Sequence, residues 1–304
     1  MTSATRFIAT SAASMALAAT SPTHANAQAA SAPQSGYAPV NGLKLYYEIR
    51  GTGAPVVVLH GGLSNTELIE GMVAKLALTQ RVIAVDLQGH GRTADIDRPF
   101  TCQAMADDIA ALLRYLKIPR ADVVGYSLGG SVALRTAIQH PEIVNKLVVV
   151  SSVLQPSGWY PELAAAREQL GAGLAEVMKP SPAYQSYARI APRPGDFPVL
   201  LDKTGALMRQ DFDWTRDVQS ITAPTLLVFG DADAIRPEHM VEFFHLLGGG
   251  KKDGGLDGSG MSKARLAILP GTTHYTIFDS PLLPPLIVKF LAGDATQTAA
   301  KGAS

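Results

Sequence analysis

The stretch "DVVGYSLGGSVAL", residues 122–134, joins an apolar, β-branched run to a helix-like run through a Gly-x-Ser-x-Gly turn. Ser127 stands at the junction, with Gly125 and Gly129 two positions to either side. By itself the pattern carries little weight: with 28 glycines among 304 residues, a chance match somewhere in the chain has a probability on the order of 0.1. Placement gives it meaning. A sharp strand-to-helix turn drives the serine into a strained backbone conformation and leaves no room for side chains at the two neighbours, which gives both glycines a mechanical purpose. The hydroxyl is then exposed at the carboxyl edge of a sheet, and the free N–H groups opening the next helix can stabilise an anion beside it.

Outward from that junction, strand and helix patterns alternate. Before it come two short strand-like runs around Asn41-Gly42, a dipeptide favoured in tight hairpins, then "PVVVLHGG" (55–62), "RVIAVDLQGHG" (81–91) and a helix over 102–118. After it, the helix over 128–140 is stopped by Pro141, and "KLVVVSS" (146–152), "PTLLVFGD" (224–231), a helix near 237–247, "ARLAILPG" (264–271) and a closing helix from about Pro285 follow. Continuous apolar strands separated by helices imply a mainly parallel sheet covered on both faces.

From about Leu154 to Ser220 the rhythm breaks into short helical patterns interrupted by prolines, so this segment reads as an insertion between two core strands. Its Trp159, Tyr160, Met178, Tyr184, Tyr187, Phe197, Phe212 and Trp214 are expected to divide between packing the insertion and lining a pocket. A second irregular stretch, "GGGKKDGGLDGSGMSK" (248–263), carries Asp253 and Asp257 among glycines, but without repetition of the unit it reads as a mobile surface loop and not a metal site.

Composition narrows the partners. The 26 basic and 26 acidic side chains cancel, leaving no long-range field to gather nucleic acid or an anionic membrane, so a neutral or weakly charged small molecule is the expected ligand. Arg6, a weakly apolar run from Phe7 to Ala19 and an A-x-A site at Ala25 to Ala27 read as a signal peptide over residues 1–27, cleaved to give a periplasmic or secreted protein. The apolar run is too short and too diluted by Ser and Thr for a membrane anchor. Cys102 is the single cysteine, which excludes an internal disulfide and a thiolate metal site; it follows Thr101, an expected helix N-cap, and reads as a small packed side chain.

Five motifs taken in order carry a resemblance to a known family: "HGG" (60–62), "DLQGHGRT" (86–93), "GYSLGG" (125–130), "FGDADAIRP" (229–237) and "LPGTTHYTIFDSP" (269–281). From about Tyr37 to Leu291 the chain resembles the α/β-hydrolases. The resemblance implies an α/β fold with a mainly parallel eight-stranded sheet, flanked by helices and carrying an inserted helical cap. Core segments would then span 28–153 and 221–295, with the cap at 154–220 and a tail at 296–304.

It also implies a catalytic triad of Ser127, Asp233 and His274, with Ser127 in a nucleophile elbow made by Gly125 and Gly129. A serine hydroxyl needs a base, and the base needs an orienting group. Of the seven histidines, His24 falls in the leader. His60 and His90 belong to loops that the family uses for shape, and His140, His239 and His245 read as surface or helix-end residues. His274 stands where the family places its catalytic histidine. Family spacing places the acid three residues after Gly230, at Asp233, leaving Asp231 to stabilise the turn. The oxyanion hole would use the backbone N–H groups of Gly62 and Leu128, with Leu63 as the alternative to Gly62. Neither a metal nor an organic cofactor is implied.

The expected function is hydrolysis of a small, largely apolar carboxylic ester through an acyl-enzyme on Ser127. Lactonase, carbon–carbon bond hydrolase and cofactor-free perhydrolase activities would use the same triad. A non-catalytic receptor that kept the fold is a further reading, though all the triad positions are filled. A prolyl-type aminopeptidase is disfavoured because "HGGLSN" (60–65) lacks the proline of that group's oxyanion loop.

Overall fold

The computed structural model describes residues 34–293, so the leader expected at 1–27 and the tail at 296–304 lie outside the described residues. Eight strands form one sheet in the order β1-β2-β4-β3-β5-β6-β7-β8: β1 (Gln34–Val40), β2 (Leu43–Arg50), β3 (Pro55–Leu59), β4 (Arg81–Val85), β5 (Ala121–Tyr126), β6 (Val144–Val150), β7 (Thr225–Ala232) and β8 (Ala264–Thr273). Strand β2 alone runs against the others. It is joined to β1 through Asn41 and Gly42, whose φ values of 48° and 84° make the tight turn that the dipeptide favours.

The central strands are buried on both faces, as expected of parallel strands under helices. Val57 and Leu59 of β3 enter a cluster with Val123 and Val149, while Val56 and Val58 point the other way toward Val124 and Val148. On the first face lie α2 (Cys102–Tyr115) and α3 (Leu128–Gln139); on the second lies α1 (Glu70–Leu76), a short helix that the sequence pattern did not reveal. Thr101 caps α2 as expected, accepting from Ala104 N at 3.0 Å, and Cys102 is buried.

Residues 154–220 fold into α4 (Ala164–Gln169), α5 (Ala175–Met178), α6 (Pro182–Ile190) and α7 (Phe197–Met208), with short 3₁₀ turns between. After them, α8 (Pro237–Leu246) packs on the first face and α9 (Leu283–Ala292) on the second. Polar contacts hold the insertion to the core at several points, among them Lys203 and Ser186. Lys203 Nζ donates to Asp95 Oδ2 at 2.5 Å and to the carbonyls of Ile96 and Arg98, and Ser186 Oγ accepts from Asn65 Nδ2 and donates to Glu67 Oε2, each at 2.9 Å. The insertion's aromatics divide between two jobs. Tyr184 and Tyr187 pack on the buried Phe197, while Trp159, Phe212 and Trp214 line a cavity.

Chain order places that cavity. From β3 the chain crosses to β4 on one side and later to β5 on the other, so a crevice opens outside the carboxyl ends of β3 and β5.

Candidate active site

Ser127 follows the last residue of β5 and precedes the first of α3, with φ 53° and ψ −115°. That conformation is costly for a residue with a Cβ and persists because the neighbours leave no alternative. A Cβ on Gly125 would lie 2.0 Å from the carbonyl oxygen of Gly129, and one on Gly129 would lie 2.4 Å from that of Leu59. Strand end and helix start are thus pressed together, and the serine side chain points out of the turn toward the cavity it lines.

Three predicted residues meet there. Ser127 Oγ lies 3.0 Å from His274 Nε2, and His274 Nδ1 lies 3.0 Å from Asp233 Oδ1. An acceptor carboxylate at Nδ1 sets the tautomer: the proton sits on Nδ1, and the Nε2 lone pair faces the serine hydroxyl. His274 is fixed at its backbone as well, since its carbonyl accepts the Tyr126 hydroxyl at 2.6 Å. The turn before it is fastened by Asp231, whose carboxylate accepts the N–H groups of Gly271 and Thr272 at 2.9 and 3.1 Å.

Asp233 is buried, and burial on its own would push its carboxyl up. The hydrogen bond and charge of His274, the Ser151 hydroxyl at 2.5 Å and the Gly230 N–H at 3.0 Å outweigh burial and hold it below the usual carboxylate range. Ser151, at the end of β6 with φ 49°, was not assigned a role from the sequence. The signal that could have found it is its place directly after a core strand, at the same sheet edge as Ser127.

The glycine loop after β3 runs beside the serine. Gly61, Gly62, Leu63 and Leu128 line the cavity with Ser127. The N–H of Leu128, first in α3, has no intrahelical acceptor available by helix geometry. His60 shapes this loop: its Nδ1 donates to Gly61 O at 2.7 Å and its Nε2 accepts from Leu87 N at 3.1 Å, and burial pushes its pKa down to about 4. Asp86 joins the loop to "DLQGHGRT" by accepting Thr66 N at 2.7 Å and Arg92 N at 2.8 Å. His239 departs from expectation. It is buried, not superficial, because Nε2 accepts from Leu154 N at 3.1 Å and so anchors the start of the insertion beneath α8.

The cavity measures about 380 Å³. Its walls are chiefly apolar: Leu63 and Val153 from the core, and Leu163, Leu170, Leu207 and Met208 from the insertion, besides the three aromatics above. Gln103, Ser131, Thr204 and Gln210 add uncharged polar residues, and Arg167 and Asp211 add one charge of each sign. Chemically, a hydroxyl hydrogen-bonded to an imidazole that is itself oriented by a carboxylate can lose its proton as it attacks an electrophile. Among the described residues no cluster of His, Cys, Asp or Glu is arranged to hold a metal ion, and no helix is long and apolar enough to cross a membrane.

Comparison with known proteins gives one family. A model described as alpha/beta hydrolase fold matches residues 54–281. The pimeloyl-[acyl-carrier protein] methyl ester esterase of Neisseria meningitidis is 35% identical over 210 residues, covering 62% of this chain and 79% of that protein. Among solved structures, a carboxylesterase from Bacillus subtilis superposes with a TM-score of 0.66 at 20% identity, over 86% of this chain and 93% of the other. An enol-lactonase from Burkholderia xenovorans gives 0.61 at 23% identity, over 84% and 99%.

Proposed function

The chain belongs to the α/β-hydrolase fold family, and from that premise we propose that it is a serine hydrolase cleaving a small, largely apolar carboxylic ester. The observation that carries the reading is the continuous hydrogen-bonded chain Ser127, His274, Asp233, opening onto an apolar cavity. That a relative at 35% identity is named for cleavage of a methyl ester favours an ester as substrate.

In this mechanism His274 Nε2 takes the Ser127 proton as Oγ bonds to the ester carbonyl carbon. The carbonyl oxygen becomes an oxyanion, held by the N–H groups of Gly62 and Leu128. His274 then passes its proton to the departing alcohol oxygen, leaving an acyl-enzyme. Water loses a proton to the same histidine, attacks the acyl carbon, and the acid departs as Ser127 regains its proton. Asp233 stays ionised throughout and balances the imidazolium.

A panel of nitrophenyl esters graded by acyl length, with lactones and vinylogous diketones beside them, tests the reading. Turnover of short to medium esters that disappears in Ser127→Ala is expected, together with Ser127-dependent labelling by a fluorophosphonate. Labelling with turnover of lactones or diketones alone would replace the ester, and no labelling would favour a binder. We further propose export, resting on Arg6, the Phe7 to Ala19 run and the Ala25 to Ala27 site; the processed protein should begin at Gln28.

A further inference from the structure

Three aromatic rings border the imidazole of His274. Tyr126 packs on it with ring centroids 5.6 Å apart and on the buried Phe278 at 4.9 Å, which ties it to the core. Trp159 and Tyr275 both line the cavity and meet the imidazole steeply, at 68° and 80°, with centroids 5.3 and 5.4 Å away. The turn that carries Trp159 is laced to the residues directly after Asp233. Tyr160 N donates to Ala234 O at 3.1 Å, Arg236 N donates to Gly158 O at 2.9 Å, and Trp159 forms an isolated antiparallel bridge with Ile235. Gly158 sits so close to the His239 ring that a Cβ would lie 2.6 Å from its Cδ2. The loop that supplies the orienting acid therefore also fixes the indole beside the base. Tyr275 follows the base in the chain and is 75% exposed, so most of its surface is free.

The reaction decides what these rings face. His274 Nε2 hands its proton to the alcohol oxygen of the ester, and that oxygen must come within hydrogen-bond reach of the nitrogen. The carbon attached to it then lies beside the side chains that border the imidazole along the cavity, Trp159 and Tyr275. We infer that these two residues form the subsite for the alcohol part of the ester, and that the alcohol carries an aromatic ring. The inference rests on the ester-hydrolase reading of Ser127 and deepens it by naming the class of leaving group. A flat ring against the indole gains stacked or edge-to-face contact beyond its apolar burial, which a saturated ring of the same size does not.

The test uses two esters with one acyl group, benzyl butyrate and cyclohexylmethyl butyrate, each rate divided by that ester's own rate in hydroxide. The quantity read is kcat/KM, which reports acylation, the step in which the alcohol leaves. Wild type is expected to favour the benzyl ester about fivefold. Trp159→Leu keeps an apolar side chain and should bring the ratio to about one, whereas Trp159→Phe keeps a ring and should hold it above about threefold. Losing the indole's contact with His274 would slow both esters alike, so the ratio separates binding of the alcohol from positioning of the base. Tyr275→Leu, at an exposed position, should lower the ratio to about half that of wild type, and it supplies the reading if Trp159→Leu does not fold. A wild-type ratio near one would overturn the inference, as would a ratio that the leucine variant leaves unchanged. Turnover of neither ester, with no labelling by a fluorophosphonate, would bring down the hydrolase reading and this one with it. Labelling of Ser127 with equal use of the two esters, or of neither, would sink this one alone.

Discussion

Ser151 donates its hydroxyl to Asp233 Oδ2 at 2.5 Å, so the carboxylate that orients His274 is itself held from the end of a neighbouring strand. The bond joins β6 to the loop after β7 across the carboxyl edge of the sheet. It leaves Asp233 with donors on both oxygens, and this is why a buried carboxylate keeps its charge.

Ser151→Ala removes one of those donors from a buried ion. A hydrogen bond to a charged group is worth about 1.5–3 kcal/mol, and urea unfolding near neutral pH should show a loss of that size. The sign with pH follows from the lowered carboxyl of Asp233. Stability linked to it is full above the unfolded carboxylate value of about 3.9 and is lost as pH falls through the lower folded value. The variant raises that folded value, so its acid-side loss of activity should begin at higher pH than in wild type. Coincident acid limbs for the two proteins would show that Ser151 does not tune Asp233.

Asp233→Asn tests orientation apart from packing. The amide oxygen can still accept from Ser151 and Gly230, so folding should be preserved. Its NH₂ cannot accept from Nδ1–H, and the imidazole is turned to the wrong tautomer for taking a proton from Ser127. The expected result is a fall in kcat of about 10³–10⁴ with an unchanged Tm. A fall of less than about tenfold would place the orienting acid elsewhere.

Much of this was legible because the strands β3, β5, β6 and β7 each carry an apolar, β-branched run and because Gly125 and Gly129 answer a steric demand of the turn that presents Ser127. The helix α1 was hidden because it is only seven residues long and opens without a side-chain cap. Ser151 and His239 were missed for a different reason. Their partners, Asp233 and Leu154, are 82 and 85 residues away, and no local pattern announces a contact at that distance. The division of the insertion's aromatics was likewise set by tertiary packing, which buries Phe197 under Tyr184 and Tyr187 and turns Trp159 toward His274.

The buried histidines should make the fold acid-labile. Burial holds His60 at about 4, His90 at about 3 and His239 at about 4, against an ordinary value of 6.5. Their folded values lie below the unfolded one, so the linked stability is complete above about pH 6.5 and is lost as pH falls toward about 4. Between about pH 6.5 and about pH 5 each would cost about 2 kcal/mol, or about 6 kcal/mol for three, which is comparable to the stability of a typical domain. Asp86 opposes this, because burial raises its carboxyl to about 6 and protonation on acidification relieves it, returning about 1 kcal/mol over the same range. Urea midpoints measured across that interval should fall steeply. His239→Gln, which can still accept from Leu154 N, should flatten the slope by about a third, and a flat wild-type profile would mean that these rings do not stay neutral on folding.

Two glycines beside Ser127 should respond oppositely to the same added methyl group. At Gly125 the new Cβ would lie 2.0 Å from the Gly129 carbonyl oxygen, with backbone on both sides and nothing flexible to yield. Gly125→Ala should therefore cost about 4 kcal/mol or more, read as insolubility or a collapsed Tm. At Gly62 the nearest atom to a Cβ is Thr204 Cγ2 at 3.7 Å, an ordinary contact, and the residue is exposed. Gly62→Ala should fold with a stability within about 0.5 kcal/mol of wild type. Any change it makes in ester turnover is then an effect of a methyl group placed at the mouth of the site, since the turn that presents Ser127 is intact. Equal destabilisation by the two substitutions would show that close backbone approach is not what requires glycine at 125.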